Sequence, residues 1–213
     1  MRIRWLGHAC FRIECACGLS FAIDPYADSI GYPALHILAD YVAKSHGHDD
    51  HANISAVQGA KQVFDAAGEY HVGGVTVRAT LTPHDDVGGA KRGPNLVFTF
   101  DDGDIRFCHL GDLGSTLTPE QLTSIGRVDV VCVPVGGVYT VDAAGAAAVC
   151  NQLKPRVVIP MHYRVGKLVY KLAEVNPFVQ AMGGAEQLAT NELELTRQSL
   201  PASRQVMVLN YVG

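Results

Sequence analysis

The sequence predicts an α/β fold in one domain spanning residues 1–213. Three observations predict it. The first half is a succession of short alternating or wholly apolar runs parted by glycine turns, which is strand patterning. The second half alternates apolar runs with capped helical patterns, and no low-complexity linker, internal repeat or charge block divides the chain.

"RIRWLGHACFRIECACGLSFAID" at 2–24 reads as successive short strands. "DYVAKSH" at 40–46 is a buried strand that runs straight into a histidine cluster, after which a helix start is expected. Further strands are expected at "KQVFD", "GVTVRATL", "NLVFTF" and "IRFCHL", the last two joined by "DDGD", a hairpin turn sequence. "TPEQLTSI" opens with a threonine cap and a first-turn proline, and "VDVVCVPV" is a buried strand. "DAAGAAAVCNQL" is a helix capped by Asp142, and "RVVIPMHY" is another buried strand. The stretch 183–210 is expected to form a helix, a loop and a closing strand.

Hydrophobic residues make up 48% of the 213 positions, enough for a sizeable core. Met1 is not followed by a signal peptide, and no apolar run reaches the roughly 18 residues that span a bilayer, so a soluble, cytoplasmic protein without a membrane partner is expected. The six cysteines sit mostly in apolar runs of a chain too long to need disulfides, so free thiols are expected. With a net charge of −4 and scattered Lys and Arg, a small-molecule substrate is expected rather than nucleic acid, and a homo-oligomer stays open.

"SHGHDDH" carries the chemistry. His46, His48, Asp50 and His51 form H-x-H-x-D-H, a set of imidazole and carboxylate donors suited to zinc, manganese or iron. Residues two apart in extended chain point the same way, so His46 and His48 can grip one ion while Asp50 and His51 serve a second. His84 in "LTPHDD", Asp112 in "HLGDLG" and His162 in "IPMHY" each stand just past a predicted strand, where side chains of distant segments share a cleft. Asp24 either orients a ligand histidine or merely starts an Asp-Pro turn. His8 either reaches the cleft or is structural, whereas His36 and His71 read as surface residues. Cys15 and Cys17 lack the second pair a soft-metal site needs. Gly136, Gly137 and Tyr139 lie at a strand-to-helix turn that either meets an anion or caps a helix. Lys91 and Arg92 follow His84, and Arg164 and Lys167 follow His162; of these cations Arg164 is the first candidate to hold a substrate anion, with Lys167 and Tyr139 beside it.

On "WLGHACFRIE", "IDPY", "SHGHDDH", "LTPHDD", "HLGDLG" and "IPMHY", the chain resembles the metallo-β-lactamase-fold hydrolases over nearly its full length. Its pattern is most similar to the compact bacterial group of ascorbate-6-phosphate lactonase-like enzymes. The resemblance implies a four-layer αββα sandwich of two mixed β-sheets flanked by helices, with metals at one edge. It implies that His46, His48 and His84 hold a first metal, that Asp50, His51 and His162 hold a second, and that Asp112 bridges them. His109 lies in the other segment where the third histidine of the first site could fall; His84 is favoured, which leaves His109 behind the ligands. Asp50 and His109 are the expected catalytic side chains. The implied cofactors are two divalent ions, zinc foremost, with manganese or iron also suited. Two such ions roughly 3.5–4 Å apart bring a shared water towards a pKa of about 7, and the hydroxide would cleave a small anionic ester, lactone or phosphodiester. The alternatives are a nuclease or RNA-processing enzyme of the same fold, a di-iron redox centre, and a metal-bound binding protein without turnover.

Overall fold

The computed structural model describes residues 1–212. The chain opens with β1 (Arg2–Gly7), β2 (Cys10–Glu14), β3 (Ser20–Ile23), β4 (Ile37–Leu38), β5 (Tyr41–Ala43), β6 (Val57–Gln58) and β7 (Gln62–Phe64). It continues through β8 (Gly68–Val72), β9 (Val75–Pro83), β10 (Pro94–Asp101) and β11 (Arg106–His109). Helices then alternate with strands in α1 (Pro119–Ile125), β12 (Val130–Pro134), α2 (Ala143–Leu153), β13 (Val157–Met161) and α3 (Asn176–Ala181). Three short strands follow, β14 (Glu186–Gln187), β15 (Glu192–Glu194) and β16 (Gln205–Val208).

Two mixed sheets result, of orders β15-β1-β2-β3-β5-β7 and β14-β16-β13-β12-β11-β10-β9-β8, with a small ribbon β4-β6. They meet face to face because the alternating residues of β1–β3 put one apolar face inward. Phe11, Ile13, Phe21 and Ile23 from one sheet and Phe98, Phe100 and Phe107 from the other share one core cluster, with the Phe21 and Phe100 rings 5.0 Å apart. Each buried phenylalanine contributes about 1.5–3 kcal/mol. The wholly buried strands β12 and β13 are parallel, as strands covered on both faces usually are.

The α-helices cover the larger sheet: α1 packs on β9 and β10, α2 on β12, and α3 on α2. Thr118 caps α1 in a capping box with Gln121, and Asp142 caps α2. The other outer face is covered differently. Cys10, Ala22 and Val42 lie under Tyr26, Ile30, Tyr32, Ile37 and Val57, carried by β4, β6 and the single 3-10 turns Asp28–Ile30 and Ile54–Ala56. The helix start expected after the histidine cluster is thus one 3-10 turn.

The C-terminal expectation needs correcting. No helix forms in 183–210: α3 ends upstream, and β14, β15 and β16 take its place. Glu and Leu favour helix locally, but "ELEL" also alternates with period two, and pairing Leu193 with Ile3 lets β15 extend the smaller sheet along β1. The closing strand is present as β16, and all six cysteines are free thiols. No helix among the described residues is long and apolar enough to cross a membrane.

Strand direction positions the site. β1, β3 and β5 run one way in the smaller sheet, as do β9, β11, β12 and β13 in the larger.

Candidate metal centre

The carboxyl ends of those parallel-running strands deliver the candidate residues to one edge. His8 follows β1, Asp24 follows β3, His46, His48, Asp50 and His51 follow β5, His84 follows β9, Asp112 follows β11 and His162 follows β13. His8, Asp24 and His162 adopt φ of 51°, 48° and 52°, a left-handed turn that costs about 1–3 kcal/mol per residue and is sustained by the surrounding packing.

Asp112 is the hub. Its Oδ2 lies 3.3 Å from His84 Nε2 and 4.0 Å from His46 Nε2, and its Oδ1 lies 3.2 Å from His51 Nε2 and 3.3 Å from His162 Nε2. On one side, donor atoms of His46, His48 and His84 lie within 4.8 Å of one another; on the other, those of His8, Asp50, His51 and His162 do. His46, His51 and Asp112 form a third such group between them. Asn95 holds the Asp112 loop in place, accepting the Asp112 N–H at 2.9 Å and donating to Leu110 O and Thr82 Oγ1. Gly111 cannot be replaced there, since at φ 54° a Cβ would stand 2.3 Å from Asn95 Oδ1.

Asp24 fixes the tautomers. It accepts from the Ser45 N–H and hydroxyl, both at 2.7 Å, and from His51 Nδ1 at 2.9 Å. Because the Ser45 proton goes to Asp24, Ser45 Oγ accepts from His46 Nδ1 at 2.9 Å. Both imidazoles therefore turn Nε2 into the cleft, that of His46 as a lone pair and that of His51 as a lone pair once its proton is given up. His46 Nε2, His51 Nε2, His162 Nε2 and Asp112 Oδ1 are buried without a hydrogen-bond partner. Burial without partners is costly, and lone pairs and a carboxylate converging in this way are the donor set of a divalent cation.

The electrostatics agree. Burial pushes the His46 pKa down to about 3 and the His8 pKa to about 4, so both are neutral at pH 7. Burial by itself would raise the Asp112 carboxyl, but His162 and His51 outweigh it and hold it well below the carboxylate range. His51 is disfavoured as a cation by burial, yet Asp112 and Asp24 keep it protonated well above its ordinary range. A divalent cation offers those carboxylates the charge this proton supplies.

Several expectations meet their positions here. His84 reaches Asp112 and lies 3.3 Å from His48 Nδ1, whereas His109 does not reach the cleft. His109 Nε2 donates to Ala9 O at 2.8 Å and its Nδ1 accepts the Gly111 N–H at 3.1 Å, so no lone pair is left and the expected catalytic role does not fit. His8, read as structural or cleft-facing, is buried and bonds Asp50 Oδ2 at 3.0 Å. His36 and His71 are exposed; Cys15 is buried while Cys17 is exposed. A cavity of about 420 Å³ opens over the cluster, lined by His48, Asp50, His84 and Asp112 with Arg92, Tyr139 and Tyr170. Arg164 and Lys167 do not line it: both are exposed, and Arg164 is drawn off by an ion pair with Glu174. Sequence reasoning gave no role to Asn95, Ser45 or Tyr170; only burial and contacts single them out.

The model of the beta-lactamase superfamily domain matches residues 2–162. A UPF0173 protein of Pyrococcus abyssi is 32% identical, the match covering 76% of this chain and 83% of that one. A UPF0173 metal-dependent hydrolase of Carboxydothermus hydrogenoformans is 30% identical over 84% of this chain and 90% of its own. A solved structure from Thermotoga maritima, described as a candidate Zn-dependent hydrolase of the metallo-beta-lactamase superfamily, superposes with a TM-score of 0.81 at 37% identity over 98% of each chain. Fold, strand-end cluster and family match coincide, and the chain belongs to the beta-lactamase superfamily as a hydrolase of the metallo-β-lactamase fold.

Proposed function

We propose that the chain is a dinuclear metal-dependent hydrolase of small esters, lactones or phosphodiesters, acting as one domain over residues 1–213. His46, His48 and His84 would hold one ion, Asp50, His51 and His162 the other, with Asp112 shared. The observation that carries this reading is the set of unpartnered buried atoms about Asp112, whose two oxygens face different histidine groups. Divalent ions bound there supply Lewis acidity and activate water at neutral pH. Zinc suits the donors and is the metal named for the Thermotoga maritima relative; manganese and iron suit them too.

The protein's own part is orientation. Asp24 holds His51 directly and His46 through Ser45, so their donor atoms need no reorganisation when loaded. His8 fixes one oxygen of Asp50, which supports a ligand role for Asp50 in place of a free general base. A cavity of about 420 Å³ suits a small molecule, and a chain of net charge −4 with scattered Lys and Arg lends the nuclease reading no support.

Elemental analysis of protein purified without chelator should find close to two transition-metal ions per chain, and His48→Ala should lose metal together with turnover of a mixed ester, lactone and phosphodiester panel. An unchanged metal content in His48→Ala would refute the ligand assignment.

A further inference from the structure

The cavity over the cluster and a neighbouring groove of about 500 Å³ meet at two side chains, Arg92 and Tyr139, which line both. The Arg92 guanidinium carbon stands 4.6 Å from the Tyr139 ring centroid. Tyr139 packs edge-on against Tyr170, which stacks on His8. The stack therefore runs from the rim to the buried cluster.

Arg92 differs from Lys91 and Arg164. Lys91 pairs with Asp86 at 3.3 Å and Arg164 pairs with Glu174, but among the described residues the Arg92 side chain makes no ion pair or hydrogen bond. It is also the one Lys or Arg lining the cavity. Its backbone is held firmly. The Asp85 carboxylate accepts the N–H groups of Val87, Gly89, Lys91 and Arg92 at 2.7–2.9 Å, which closes the loop on itself. On the facing loop Val138, exposed and β-branched, takes φ 63°, a conformation such residues rarely adopt and one that sets the course of the chain into Tyr139.

A guanidinium lying over an aromatic ring keeps its N–H edge free, and that edge matches two oxygens of a carboxylate or phosphate. We propose that Arg92, stacked on Tyr139, is the anion subsite of this enzyme. It grips a carboxylate or phosphate that the substrate carries a few bonds from the one cleaved, while the reacting group lies over His48, His84, Asp50 and Asp112. This deepens the hydrolase reading above and rests on it.

The test compares two para-nitrophenyl esters on zinc-loaded protein, the hydrogen glutarate, which ends in a carboxylate, and the neutral pentanoate. Arg92→Ala should lower the kcat/KM preference for the glutarate ester at least about tenfold, the loss expected of a charge-assisted hydrogen bond, while metal content by elemental analysis stays at the wild-type level. Arg92→Lys should recover part of that preference. Calorimetric titration with glutarate and with phenyl phosphate is independent of turnover: Arg92→Ala should weaken the tighter of the two about tenfold, and which is tighter in wild type tells carboxylate from phosphate. A normal loss of affinity in a protein that cleaves neither ester would keep the subsite and discard ester hydrolysis. Equal effects on both esters, unchanged affinity for both anions, or loss of metal in Arg92→Ala would overturn the assignment.

Discussion

Asp24 is fully buried, touches neither the cavity nor solvent, and yet determines which ring nitrogen of His46 and of His51 faces the cleft. His109 lies behind it, with Nδ1 3.9 Å from Asp24 Oδ2 and both nitrogens engaged by backbone. That difference separates two histidines that the sequence had left in competition. His84→Ala removes a donor from the cleft and should lose metal by elemental analysis while changing the urea midpoint of the chelated, metal-free protein little. His109→Ala should do the opposite. It strands Ala9 O and the Gly111 N–H in a dry core, at about 1–3 kcal/mol each, so its urea midpoint should fall while metal stoichiometry persists. The reverse pattern would exchange their roles.

At the scale of elements, the smaller sheet is tied at its edge by charge as well as by its ladder. Asp40, just before β5, accepts from Lys61 Nζ at 2.9 Å, from the Ser20 N–H at 3.0 Å and from the Ser20 hydroxyl at 3.0 Å, linking β3, β5 and the approach to β7. Lys61 first, then Ser20, pull the Asp40 pKa down to about 2. A lowered carboxyl pKa stabilises the fold above the unfolded value of about 3.9 and loses that contribution as pH falls through the folded value. The urea midpoint of wild type should therefore exceed that of Asp40→Asn above pH about 4, with the gap closing towards pH 2. Lys61 is exposed, so screening by solvent keeps the gap small. A gap that widened on acidification would exclude this linkage.

For the whole molecule, the edge where both sheets end is the place where folding and metal binding are coupled. His8 and His51 come from the smaller sheet, Asp112 and His162 from the larger, and His51 Nε2 lies 3.2 Å from Asp112 Oδ1 across the sandwich. An ion held there by residues of both sheets, and not by the unfolded chain, would stabilise by about 2.7 kcal/mol at a hundredfold excess over Kd. Chelation should lower Tm by about 5–10 °C for a chain of this size, and zinc should restore it. An unchanged Tm after metal removal has been verified would mean that the edge holds without it.

The sequence by itself determined the class of fold and the place of the chemistry. Strands β1, β2, β3, β5, β7 and β9–β13 and helices α1 and α2 were legible because period-two patterns, apolar runs and caps are local signals. The candidate donors His46, His48, Asp50, His51, His84, Asp112 and His162 were legible because they stand in the loops that follow such strands. Non-local pairing was not legible: β15 is a strand because β1 has an open edge, and no window of residues 183–210 records that. Nor was the direction of a side chain within a loop. Arg164 stands two residues from His162 and Arg92 eight from His84, yet Glu174 draws the nearer one away while the farther lies over Tyr139 at the cleft. His109 stayed an alternative to the favoured His84 until the backbone of Ala9 and Gly111 took both of its nitrogens. Only tertiary structure decides such cases, because a side chain's lone pair or charge is free or spent according to partners brought by distant segments.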